Sequence, residues 1–100
     1  MAAYNIVRFR AKPGCEEQVL QAHKDASANF PGFLHGTLIK TGDRSYAMIG
    51  AWDNQSSIAA AEEEMIGVLD TFRDSLEDLG SGLGVTDPIA GEVVMELGAK

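Results

Sequence analysis

The chain has a single cysteine, Cys15, among its 100 residues. An internal disulfide and a multi-cysteine metal site are both excluded on that count. Positive charge is scarce too: 8 Lys and Arg stand against 15 Asp and Glu, a formal net charge of −7. Phosphate recognition needs clustered Lys and Arg, so neither nucleic acid nor an anionic membrane is an expected partner. No apolar run approaches the ~20 residues that cross a bilayer. The opening MAAYNIVRFR lacks the basic start and apolar block of a secretory signal, and a cytoplasmic protein is expected. A chain this short buries roughly two-thirds of its unfolded surface, so residues 1–100 are read as one domain with one modest core.

Within those limits the patterning is regular. YNIVRFRA, residues 4 to 11, sets Tyr4, Ile6, Arg8 and Arg10 on one side and Asn5, Val7, Phe9 and Ala11 on the other, which predicts a strand. KPG ends it. A helix is expected from about Cys15 to Asn29, with Glu16 and Glu17 at the positive end of its dipole. Pro31-Gly32 stops it. FLHGTLIK (33–40) and SYAMIGAW (45–52) read as two strands joined by the turn TGDR, a hairpin. DNQSS supplies N-caps for a helical stretch from Ser57 to about Leu79. Its stripe is Ile58, Met65, Leu69, Phe72, Leu76 and Leu79, with Gly67 and Glu62-Glu63-Glu64 as points of division. GSGLGVTDPIAG (80–91) reads as a glycine-rich connection and EVVMEL (92–97) as the last strand. GSGLG lacks the Lys-Ser/Thr of a phosphate loop and follows a helix, so it is not one.

The order β-α-β-β-α-β gives a ferredoxin-like α+β fold: a four-stranded antiparallel sheet with both helices on one face. The second and third strands are nonetheless apolar on both sides. Tyr46, Met48 and Trp52 alternate with Ala47, Ile49 and Ala51, and Leu34 and Leu38 with His35, Thr37 and Ile39. A sheet face left to water should be polar, and a monomer rarely exposes a large apolar patch. A second copy, sheet against sheet about a two-fold axis, is the expected remedy.

FPGFLHGTLIK followed by SYAMIGAWDNQSSIAAAEE resembles the antibiotic-biosynthesis-monooxygenase-like domains of the dimeric α+β barrel superfamily. Those domains carry a PGF or PGC turn after the first helix and a third strand that ends in an aromatic residue, usually Trp. VRFRAKPG resembles their first strand and turn, and the likeness covers about residues 4 to 97. It implies a ligand pocket between helices and sheet, and a range of activities that includes cofactor-independent monooxygenases acting on polycyclic aromatics, isomerases, decarboxylases and haem-degrading enzymes. It also covers stress-induced proteins of no assigned activity. The haem-degrading branch uses an Asn, a Trp and a His. The corresponding helical stretch here, AAAEEEMIGVLDTFRDSL, has neither Trp nor His, which speaks against haem degradation.

His23 is the candidate catalytic residue. It falls on the stripe of Val19, Ala22 and Ala26, so it faces the sheet. One reading is a neutral core imidazole bonded to a backbone carbonyl or a Tyr hydroxyl. The other is a pocket base or donor, suited by an imidazole's titration near neutral pH. Its small neighbours Ala22, Ala26 and Ser27 leave room for a cavity. Asn5, Tyr46, Trp52 and Arg73 are candidate substrate-binding residues: an amide among apolar neighbours, a hydroxyl, an aromatic wall and an anion-steering cation. Each also has a structural reading, as a satisfied amide, core aromatics and a surface ion pair with Asp70 or Glu77. His35 reads as a rim or interface residue, and two histidines without a third ligand hold no metal. No metal and no cofactor are expected. The leading reading is a cofactor-independent monooxygenase-like homodimer that binds a small aromatic or quinone-type molecule; the alternative is a non-enzymatic dimeric ligand-binding or stress-response protein.

Overall fold

Alternating burial along the first strand fixes the architecture. Ala3, Asn5, Phe9 and Ala11 are buried, while Tyr4 and Arg8 between them are exposed. The computed structural model describes residues 2–26 and 29–98. The elements run β1 (Ala3–Arg10), α1 (Glu16–Asp25), β2 (Phe33–Gly42), β3 (Ser45–Trp52), α2 (Gln55–Ala60), α3 (Glu62–Asp70), a 3-10 turn (Arg73–Ser75) and β4 (Asp87–Glu92). All four strands pair antiparallel in the spatial order β2-β3-β1-β4, the ferredoxin-like arrangement.

Local chemistry accounts for most boundaries. Asn54 caps α2, its side-chain oxygen accepting from the Ser57 N–H at 3.0 Å. Gly32 follows α1 at φ +84°, where a side chain would overlap Asp53 and Ser57. The close approach lets the Asp53 N–H donate to the Gly32 carbonyl at 2.8 Å, tying the start of β2 to the end of β3.

Three boundaries differ from the sequence-based expectation. α1 ends at Asp25 rather than near Asn29, because Ala26 already has extended backbone (φ −64°, ψ 132°); Ser27 and Ala28 lie outside the described residues. The second helical stretch ends at Asp70 rather than near Leu79; its division falls where expected at the acidic run, at buried Ala61 just before Glu62, the Ala61 N–H being shared between the Ser57 and Ile58 carbonyls, while Gly67 lies within α3. The last strand is Asp87–Glu92, not 92–97. Its register puts Ile89 opposite Ile6 and Glu92 opposite Ala3, where β1 begins. One further ladder bond, from the Val93 N–H to the Ala2 carbonyl at 2.8 Å, is the last it makes.

The helices cover the sheet face that carries Asn5, Phe9, Tyr46 and Trp52, and the core lies between them in two clusters. One joins Phe9, Ala11, Val19, Tyr46, Phe72 and Leu76; the other joins Ala3, Trp52, Ile58 and Ala61. The opposite sheet face carries Tyr4, Ile39 and Ile89, all exposed, beside half-buried Ile6 and Ile49. At its far end Arg10 and Arg44 both bond Glu77, at 2.9 and 3.2 Å, and Arg44 also donates to the Ala11 carbonyl. No helix among the described residues is long and apolar enough to cross a membrane.

Candidate functional site

The register of β1 on β3 sets Asn5 opposite Gly50 and Ala3 opposite Trp52. With no side chain at Gly50, the Trp52 indole folds over that position and its Nε1–H donates to Asn5 Oδ1 at 2.8 Å. A Cβ on Gly50 would overlap both partners. Asn5 and Trp52 are both buried. Since Oδ1 accepts from the indole, Nδ2 points toward α3, where Met65 Sδ at 3.9 Å offers only a weak acceptor. Phe30 stacks on Trp52 with centroids 6.0 Å apart, and Phe33 meets it edge-on at 5.0 Å.

His23 belongs to the other cluster. Its ring stacks on Phe9 at 5.2 Å and tilts against Phe72 at 4.7 Å. Its Nδ1 lies 2.8 Å from the Val19 carbonyl. A carbonyl oxygen only accepts, so Nδ1 carries the proton and Nε2 keeps a lone pair in the neutral ring. Tyr46 is buried and stacks on Phe9 at 5.8 Å. Phe9 and Asn5 are four residues apart on one face of β1, about 13 Å. The two clusters therefore occupy opposite ends of one helix-covered face.

A groove between α1 and α3, of about 1100 Å³, borders both clusters, and none of Asn5, His23, Tyr46, Trp52 and Arg73 is among its lining residues. Its apolar lining comes from Ala22 and Val68, which pack on the His23 end, and from Phe30, which packs on the Trp52 end. Gly67 widens it, having no neighbour within 4 Å of where a Cβ would stand. Its rim holds the carboxylates Glu17, Asp25 and Glu64, and among the described residues neither Lys nor Arg lines it.

Of the residues singled out from sequence, Asn5 and Trp52 are brought together directly, and His23 and Tyr46 share the neighbour Phe9. Arg73 stands apart, 45% exposed on the 3-10 turn, with both Nε and Nη2 bonded to Asp70 Oδ1 at 3.0 and 2.9 Å. The i,i+3 carboxylate one turn back holds it along the surface. His35 is exposed on β2. Phe30 and Met65, read from sequence only as apolar stripe residues, and Gly50 were not singled out as neighbours of the Asn5–Trp52 pair. Gly50 alone gave a signal: a glycine inside an apolar strand marks a close approach. Among the described residues no group of three or more His, Cys, Asp or Glu could hold a metal ion.

Among the described residues, Glu77 is the one group whose titration is clearly displaced. The hydrogen bond from Arg10 is the largest cause, helped by Arg44 and opposed by desolvation, and it holds the carboxyl below its usual range. Glu77 is not among the groove's lining residues and ties β1 and the β2–β3 turn together through Arg10 and Arg44.

Comparison with solved structures gives the same fold at low identity. SnoaB of Streptomyces nogalater, a cofactor-independent oxygenase solved as a mutant, matches at TM-score 0.69 and 19% identity, with 96% of each chain covered. MhuD, solved as a mutant with two manganese protoporphyrin IX per active site, matches at TM-score 0.65 and 18% identity, covering 97% of this chain and 99% of that one. A dimeric ferredoxin-like protein from an uncultured marine organism matches at TM-score 0.71 and 13% identity, covering 99% and 93%. No curated protein sequence matches. The family model described as antibiotic biosynthesis monooxygenase matches residues 2–65, through β1, α1, the hairpin and the start of α3. The chain belongs to the antibiotic biosynthesis monooxygenase family.

Proposed function

We propose that this protein is a cofactor-independent monooxygenase-like homodimer that takes a small, neutral aromatic or quinone-type molecule between its helices and sheet. The observation that carries the reading is the α1–α3 groove, which passes over the His23 cluster and reaches Phe30, the ring stacked on Trp52. An apolar lining with a few polar groups suits a flat ligand. The carboxylate rim, without Lys or Arg, favours a neutral ligand over an anionic one. Arg73, paired with Asp70 at the surface, has no part in this wall.

In this reading the ligand supplies the electrons. Nε2 of His23 accepts a proton from a phenolic or activated C–H group, and the substrate anion reduces O2. One oxygen atom stays on the substrate as a carbonyl and the other leaves as water with the two hydrogens lost from the oxidised carbon, so that all four electrons come from the substrate. The Asn5 amide, held by Trp52, donates toward developing negative charge once the Met65 thioether moves aside. The apolar outer sheet face, with Tyr4, Ile39 and Ile89 exposed, supports pairing of two copies through it. The whole chain acts as one domain, in the cytoplasm.

A second reading, a dimeric binding protein without turnover, draws support from the packing of His23: its ring stacks on Phe9, meets Phe72 at a tilt, and has Nδ1 engaged. Incubation with a panel of phenols and hydroquinones under labelled dioxygen separates the two. Incorporation of one labelled atom per product, lost in His23→Ala, supports the enzyme; saturable binding with no oxygen uptake above background supports the binder.

A further inference from the structure

The helix-covered face holds one polar group whose partner is weaker than its burial calls for. Asn5 is 5% exposed, and its Oδ1 accepts from the Trp52 indole. Its Nδ2 carries two hydrogens, and among the described residues its one acceptor is Met65 Sδ at 3.9 Å. A thioether accepts poorly, so a buried amide donor gains from an oxygen placed opposite it. Among the described residues Met65 is also the one methionine whose sulfur accepts a hydrogen bond. It stands on α3, packed against the cluster of Ala3, Trp52, Ile58 and Ala61. Its side chain is half-buried, so a small solute reaches it from solvent.

We infer that Met65 is a site of oxidation by hydrogen peroxide, and that the Asn5 amide receives the sulfoxide oxygen. A sulfur lone pair attacks one peroxide oxygen, and the S–O bond forms as the O–O bond breaks. Sulfur gives up two electrons. The other oxygen leaves as water, taking the proton of the oxygen transferred. Sulfur and amide nitrogen stand 3.9 Å apart, about 1 Å beyond an ordinary N–H···O bond. An oxygen carried on that sulfur therefore comes within bonding distance of Nδ2. The donor is already oriented, because the indole holds the other end of the same amide. A sulfoxide usually disrupts a core, since it turns an apolar side chain polar. At Met65 the polar partner is in place beforehand. Met95 differs: it is 72% exposed, so its sulfoxide would bond to water and leave the packing as it was. The product at Met65 ties α3 to β1, and Glu64, Gly67 and Val68 of that helix line the groove. Where the function proposed above holds, the sulfoxide also takes the amide donor away from the ligand. The oxidation and its hydrogen bond do not depend on that function.

The test uses the full-length chain with Cys15→Ser, Met48→Leu and Met95→Leu, which leaves Met65 as the one thioether beyond Met1. The folded protein is treated with hydrogen peroxide, and each methionine is read by peptide mass spectrometry. The Asn5 side-chain amide protons are followed by NMR. Urea unfolding is measured before and after treatment, in this chain and with Asn5→Ala added. The account expects one oxygen atom on Met65 and a downfield shift of an Asn5 Nδ2 proton. Oxidation should lower the folded-to-unfolded ratio about fivefold more in the Asn5→Ala chain than in its parent, the worth of one hydrogen bond. The NMR result decides the matter even if Asn5→Ala does not fold. A Met65 that stays unoxidised in the folded chain overturns the site. A sulfoxide that leaves the Asn5 protons where they were, or that costs the same stability with and without Asn5, overturns the hydrogen bond. The proposed function fails separately, by an absence of quinone binding in the untreated protein.

Discussion

The Trp52 indole donates to the Asn5 carboxamide at 2.8 Å across a strand position that is open because residue 50 is glycine. The pair is buried at one end of the helix-covered face, and each partner fixes the other: the indole fixes the amide's orientation, and the amide satisfies a donor with no route to water. Asn5→Ala leaves the indole N–H buried without an acceptor. Urea unfolding should show a loss of about 1–3 kcal/mol, with a shift in the emission of Trp52, the single tryptophan.

Gly50→Ala attacks the same relationship from the third side. The new methyl overlaps both Asn5 and Trp52, and neither can withdraw without losing the hydrogen bond. The expected cost is about 1–3 kcal/mol. In the double variant with Asn5→Ala the two costs should fall short of their sum, because one interaction is removed twice. Strict additivity would mean that Gly50 serves some other purpose.

His23 tests the division between core and pocket. His23→Ala should keep the fold and the dimeric state and lose ligand binding. His23→Phe preserves the stack on Phe9 and Phe72 and removes Nε2, so its stability should stay within about 1.5 kcal/mol of wild type while any turnover is lost. Collapse of the fold in His23→Ala, together with an unaltered affinity in His23→Phe, would make His23 a core residue and nothing more.

Glu77 gives a pH dependence with a definite sign. Its folded-state carboxyl titrates below the usual range, chiefly through the hydrogen bond from Arg10. The stabilisation it supplies is present above the ordinary carboxylate pKa and is lost as pH falls through the depressed one. Glu77→Gln should therefore unfold at lower urea than wild type at pH 7, and the two midpoints should converge as the pH is lowered below about 4. A gap that persists at pH 2 would assign the effect to packing instead of charge.

Much of this architecture is legible in the residues, and the exceptions have physical causes. β3 follows from SYAMIGAW directly, and the two-sided apolar pattern of β2 and β3 shows that the face left uncovered by the helices is apolar too. The last strand was misplaced because DPIAGE has a proline and a glycine and little β-propensity, whereas EVVMEL has plenty. β4 is an edge strand, where a proline's missing N–H costs no ladder bond if it faces outward, and its register is set by where β1 begins. Spacing alone put Asn5, Trp52, Tyr46 and His23 on the helix-covered face. It could not show that Asn5 pairs with Trp52, because that contact depends on the register across Gly50. Nor could it show that Arg73 leaves the stripe, because α3 gives way to a 3-10 turn just before it.

The central claim is a ligand site beneath the α1–α3 groove, and Trp52 reports on it directly. It is the chain's one tryptophan, stacked under Phe30 at the end of the groove. The measurement is a titration of Trp52 fluorescence with a neutral naphthoquinone, for wild type and for His23→Ala, with the free amino acid as control. The account predicts saturable quenching at one site per chain in wild type, and its loss in His23→Ala. Linear quenching that never saturates and matches the free amino acid would contradict it.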